Sequence, residues 1–105
     1  MNKTFRGDTF WRTFLIEYEN EPYMFQEGDK IRSAFCDDSG KHLLKEITVE
    51  KSAETVKIEW SSEEMATLGS KRWILETEIT TKKFRKTHQE VVDIFEDHII
   101  TEGAE

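Results

Sequence analysis

At 105 residues, with a formal net charge of −7 from 22 acidic and 15 basic residues, the chain has room for one domain and one thin core. Seven Phe, three Trp and two Tyr exclude an intrinsically disordered chain, because each ring can fill a large share of a small core. The acidic balance gives the long-range field the wrong sign for a nucleic-acid backbone or an anionic membrane, and the single cysteine, Cys36, excludes an internal disulfide and any CxxC metal or redox site.

The opening residues lack an apolar core of signal-peptide length, and no apolar run nears the roughly 20 residues of a membrane span, so cytoplasmic synthesis is expected. From Thr9 to Tyr18 the rhythm has period two. Phe10, Phe14, Ile16 and Tyr18 share one strand face, and Trp11 and Leu15 the other. With apolar groups on both faces, this segment reads as a strand covered on both sides, or as two strands with a bend near Arg12–Thr13. Glu19-Asn20-Glu21-Pro22 is a turn, Tyr23-Met24-Phe25 a short apolar piece, and Glu27-Gly28-Asp29 a second turn.

The clearest hairpin follows. Ile31, Ser33 and Phe35 alternate with Arg32, Ala34 and Cys36. Asp37-Asp38-Ser39-Gly40 turns the chain, and Leu43, Lys45, Ile47 and Val49 return on one face. Beyond the turn at Ser52-Ala53-Glu54, Val56, Ile58 and Trp60 make a one-sided strand. Ser61 and Glu64 have capping-box spacing, so one helical turn is expected near residues 62–68, with Gly69 as its αL cap. Arg72 to Thr80 resumes as strand, with Trp73, Leu75 and Thr77 on one face, and the basic stretch Lys82 to Lys86 reads as a charged hairpin tip. Gln89 to Ile100 fits either period. Val91, Val92, Phe95 and Ile99 have helical spacing, but the Val, Ile and Phe content and the preceding turn favour a strand. Six or seven short strands in one domain over residues 1–100, with a polar tail over 101–105, point to an all-β sandwich or small barrel.

The residues offer little for catalysis. Cys36 stands beside Asp37 and Asp38, whose charges raise a thiol pKa, so it reads as a half-buried strand residue. His42, His88 and His98 are scattered, and only Glu96 and His98 could converge on one strand face, which does not define a metal site. Asp37-Asp38-Ser39 lacks the ligand spacing of a calcium loop, and no phosphate-binding glycine pattern or nucleophile elbow occurs. Arg6-Gly7-Asp8 spells an adhesion tripeptide, but before a strand it reads better as a turn. No catalytic residue, cofactor or metal is expected. The candidate interaction residues are aromatic: Trp11, Phe10, Tyr18 and Trp73. Trp60 and Trp73 read primarily as core, and Trp11 is more open because its face needs something to cover it.

Lys3-Thr4-Phe5-Arg6-Gly7-Asp8-Thr9-Phe10 resembles the opening of the immunoglobulin-like N-terminal modules of phage baseplate upper proteins and related prophage tail proteins. Val56 to Glu78 is similar to their second signature: an alternating strand, a Ser-Glu-Glu helical turn ending in Leu, a Gly, and then a strand opening on an aromatic residue. The chain departs from the pattern at Leu68-Gly69-Ser70-Lys71, where Pro-Gly is usual, at Trp73, where Tyr is commoner, and at Met24 to Gly28, where Leu-Thr-Gly is absent. The resemblance implies an antiparallel immunoglobulin-like β-sandwich and a non-enzymatic structural or assembly role in a phage or prophage particle. Its partners would be other phage structural proteins or further copies of itself, in a virion-associated homo-oligomer. The alternatives are a freestanding carbohydrate- or peptide-binding module, with Trp11 or Trp73 as its platform, and a small acidic inhibitor.

Overall fold

A computed structural model of the chain describes residues 2–96. Among these, nine strands and one helical turn follow in the order β1 (Asn2–Phe5), β2 (Phe10–Phe14), β3 (Glu17–Tyr18), β4 (Glu21–Pro22), β5 (Lys30–Asp37), β6 (Gly40–Thr48), β7 (Val56–Trp60), α1 (Ser62–Met65), β8 (Arg72–Thr80) and β9 (Arg85–Phe95). The fold is all-β, as the period-two rhythm requires. Five strands make the main sheet in the order β1-β9-β8-β5-β6, β2 and β7 pair as a separate ribbon, and β3 and β4 form a small hairpin.

The β5–β6 hairpin forms where the turn residues place it. Asp37 pairs with Gly40 across Asp38-Ser39. The Asp37 carboxylate accepts from the Ser39 backbone N–H at 2.9 Å and its hydroxyl at 2.7 Å, and Gly40 sits at φ +122°. Further along, the register shifts between Ser33 and Phe35, and Leu43 adopts φ +55°. The extra residue on β6 is a bulge, which turns both His42 and Leu43 toward the protein and leaves Leu44 outside.

The helical turn is set by its cap. Ser61 Oγ accepts from the Glu64 N–H at 3.1 Å, and the Glu64 carboxylate accepts from the Ser61 N–H at 2.8 Å, the reciprocal pair that the spacing predicts. Its C-terminal end differs from the expectation. Ala66 closes it in the right-handed region and Gly69 does not adopt a positive φ. The Gly69 carbonyl instead accepts the Trp73 indole N–H at 2.9 Å.

Three further expectations are corrected. The first strand begins at Asn2 rather than Thr9, because Asn2–Phe5 pairs with the last strand. That pairing, β1 with β9, is parallel, so the sheet is not wholly antiparallel. The Thr9–Tyr18 segment breaks at Leu15–Ile16, not at Arg12–Thr13, and no part of the described chain covers its outer face. Over Gln89–Phe95 the strand reading holds, and Asp97–Ile100, with the 101–105 tail, lie outside the described residues.

The core fills the space between the main sheet and the β2–β7 ribbon. Phe10, Phe35 and Trp60 make a triangle of rings with centroids 5.2 to 5.8 Å apart. Met65 and Leu68 cover the lower end, beside Val92 and Ile94. Trp60 can be fully buried because its indole N–H donates to the Leu43 carbonyl at 2.8 Å, which leaves no unsatisfied polar atom in the core. Ser33 and Thr77, opposite each other on β5 and β8, satisfy one another inside the core at 2.8 Å.

Candidate functional site

The four candidate residues divide between core and surface. Phe10 and Trp73 are buried, at 6% and 3% exposure, and belong to the packing. Trp11 is 52% exposed and Leu15 66%, on the outer face of the ribbon. Glu59 stands opposite Trp11 across the ribbon, and the Lys57 ammonium lies 5.6 Å from the Trp11 ring centroid. Tyr18 is half-buried and stacks on Phe84 at 4.8 Å, which ties the β3–β4 hairpin to the β8–β9 turn. Between those two hairpins lies a groove of about 660 Å³, with Glu19 and Glu21 on one wall, Lys82 and Lys83 on the other, and Tyr18 and Met24 among its apolar groups.

One cluster contains the residue types of a hydrolase without the geometry. Ser39 Oγ and Asp37 Oδ1 both lie 3.0 Å from His42 Nε2, and Ser39 Oγ lies 2.7 Å from Asp37 Oδ1. A Ser-His-Asp relay needs the serine at one ring nitrogen and the carboxylate at the other, so that the proton accepted on one side is compensated on the opposite side. Here a single nitrogen meets both groups, and the hydroxyl is already committed to the carboxylate. The cluster is a turn lock. Lys71, stacked 4.4 Å from the Trp73 ring, reaches the other Asp37 oxygen at 2.5 Å. Together with Ser39 and His42 it holds the Asp37 carboxyl well below the usual carboxylate range.

Cys36 behaves as its neighbours predict. Burial pushes its thiol pKa up, and Glu76 and Asp37 push it further, which disfavours the reactive thiolate. Among the described residues no three His, Cys, Asp or Glu side chains are grouped to hold a metal ion. Glu96 is engaged by Arg6 at 3.0 Å and by the Ser70 hydroxyl, and His98 lies outside the described residues.

The Arg6-Gly7-Asp8 tripeptide is a turn, with the Asp8 N–H donating to the Phe5 carbonyl at 3.0 Å and Gly7 at φ +86°. Arg6 is folded inward: Nε donates to the Ala66 carbonyl at 3.1 Å. The Ser62 hydroxyl donates to the Gly7 carbonyl at 2.5 Å. The N-terminal turn and the helical turn, 55 residues apart in sequence, are therefore one bonded unit. The Lys82–Lys86 stretch forms the β8–β9 turn, locked by Thr81 Oγ1 accepting from the Lys83 and Phe84 N–H groups at 3.1 and 3.0 Å.

Sequence reasoning missed Leu15 as an exposed anchor, although its place beside Trp11 on one face was the available signal. It missed the inner face of the distal β9 because pairing with β8 had to be known first. Comparison with protein-family models, with curated proteins and with solved structures finds no match to this chain.

Proposed function

We propose that the chain is a non-enzymatic assembly module with an immunoglobulin-like sandwich, a structural part of the tail or baseplate region of a phage or prophage particle, and that it acts through protein contacts. The observation that carries this reading is the bond between Ser62 and Gly7, with Arg6 reaching Ala66 beside it. The two segments that carry the resemblance meet in space and hold each other, as parts of one inherited unit would. The exposed Trp11–Leu15 face supports the second half of the reading, since a tryptophan with an aliphatic neighbour outside the core is a recurrent anchor of protein interfaces.

Particles purified from a host that carries the gene provide the test. The chain should be present at fixed stoichiometry in the tail fraction, and the isolated protein should self-associate or bind tail proteins as its concentration rises. A strictly monomeric protein absent from intact particles sinks the proposal. A carbohydrate- or peptide-binding module is the second reading, favoured by the groove beside Tyr18. Tyrosine-sensitive difference spectra that respond to oligosaccharides would support it.

A further inference from the structure

The upper layer of the molecule is narrower than the lower. A two-stranded ribbon lies over a five-stranded sheet, and the inner face of β9 is only half roofed. Val92 and Ile94 are buried, Glu90 is partly buried, and Lys86 and His88 are exposed, although in register these five inward positions alternate along one strand. Their partners on β8, Thr77 opposite His88 and Ile79 opposite Lys86, are almost fully buried. The unroofed stretch opens into a groove of about 390 Å³ whose other wall is the Arg12–Glu17 segment, with Phe14, Leu15 and Ile16 contributing apolar groups. On that side β2 pairs with no other strand among the described residues, because its one partner, β7, lies on the opposite edge.

The charge in the groove runs against that of the whole chain. Arg12 and Glu90 neutralise one another in a two-point ion pair. Lys86 and His88 are in no ion pair or side-chain hydrogen bond among the described residues. A chain of net charge −7 thus presents a cationic stretch beside an unpaired strand edge, over an apolar floor. We infer that this groove receives an extended segment of a partner protein as a third strand of the ribbon. Alternate side chains of that segment would pack toward Phe14, Ile16 and Ile79, and an acidic side chain would be set against Lys86 and His88. Main-chain bonds to β2 would supply affinity, and the cationic pair would fix register and sign. An extended segment fits where a second folded copy does not, because the β8–β9 hairpin stands beside the free edge as a wall.

The inference rests on the reading of the chain as a protein-contact module, and its test separates the two. The probe is a capped heptapeptide of alternating valine and carboxylate residues, with a lysine-for-carboxylate version as control, titrated into the isotope-labelled full chain. Amide shifts should move along Phe10–Phe14 and Lys86–Glu90, with new exchange protection on β2. The K86E/H88E variant, altered only at exposed positions, should weaken binding about tenfold or more. The lysine peptide should bind that variant better than the native chain. Saturable shifts confined to the Trp11 face or the Tyr18 groove, equal binding of both peptides, or no shift at millimolar peptide overturns it. So does a loss of self-association in the double variant without peptide, which would assign the edge to a second copy. A chain that binds the peptide but is absent from particles overturns the assembly role alone, and one present in particles that ignores the peptide overturns the groove alone.

Discussion

Arg12 on β2 and Glu90 on β9 form a two-point ion pair, Nε to Oε1 at 2.8 Å and Nη2 to Oε2 at 3.1 Å, across 78 residues of sequence. The pair bridges the ribbon and the main sheet at the mouth of the open groove, with both side chains mostly shielded from water. The Arg12 guanidinium also lies 4.3 Å over the Phe10 ring, so one side chain joins the layers by charge and packs against the core. Glu90→Gln should cost about 1–3 kcal/mol in chemical denaturation, because it leaves a partly buried guanidinium with a weaker partner. Arg12→Lys should recover only part of that stability, since an ammonium cannot match the two-point geometry. Equal stability of the Lys variant and the native chain would contradict this account.

The capping box gives a second expectation. Ser61→Ala removes the acceptor for the Glu64 N–H and should destabilise the fold by about 1 kcal/mol. Ser61→Asp, which keeps an acceptor in place, should restore most of it. Thermal unfolding of the pair separates a capping effect from a general effect of mutation at this position.

Stability should fall in acid. Asp37, Glu64, Glu78, Asp93 and Glu96 all have carboxyl pKa values below their ordinary 3.8 (Asp) or 4.5 (Glu), with Lys71, Lys45, Arg85, Arg72 and Ser70 as the respective first causes. In the acid range the unfolded chain therefore binds more protons than the folded one. The contribution is complete above the ordinary carboxylate values and is lost as pH falls through the lowered ones. Melting temperature should be flat near neutrality and decline below about pH 4.5. Asp37→Asn should be less stable at pH 7 and show a shallower acid decline. A native-like decline in that variant would remove Asp37 from the explanation.

The β3–β4 turn is suboptimal. Glu19 and Asn20 both occupy positive φ, at 54° and 67°, in a two-residue loop that favours Asn-Gly. Glutamate bears this conformation at a cost of about 1 kcal/mol. The E19N/N20G variant should raise stability by roughly that amount in thermal melts. No gain would mean that Glu19 makes a compensating contact.

The tryptophans should separate by environment. Trp60→Ala should cost about 3–5 kcal/mol through the cavity it leaves in the ring triangle. Trp11→Ala should change stability by less than about 0.5 kcal/mol while weakening particle incorporation. Acrylamide quenching should fall mostly on Trp11, and emission that is equally quenched in W11F would contradict the assignment.

Much of this architecture is legible in the residues, and the exceptions have physical causes. Period-two alternation marks β7 and β8, and turn chemistry places the β5–β6 hairpin, because both are local. The capping box is likewise written within four residues. Leu43 at positive φ has no local signal, since leucine does not favour that region and only the pairing of β5 with β6 imposes it. The parallel contact of β1 with β9 joins segments about ninety residues apart, beyond the reach of any pattern in a short window. At the candidate surface, the apolar pattern over Thr9–Tyr18 says that both faces want cover, but not which is met inside the fold. The core takes Phe10 and partly covers Phe14, and Trp11 and Leu15 are left outside.

The parallel registration of β1 against β9 has a mechanical meaning. Asn2 lies beside Val92 and Phe5 beside Phe95, so the two strands run the same way at the sheet edge. A pull on the chain before β1 and another after β9 would drag these strands past each other along their axes. All the bonds between them would be strained together rather than peeled one at a time. Single-molecule extension through the two ends should meet its highest force at the first rupture, whereas a pull applied at the β8–β9 turn should unzip the hairpin at low force. A part so connected is suited to carrying tension along a particle.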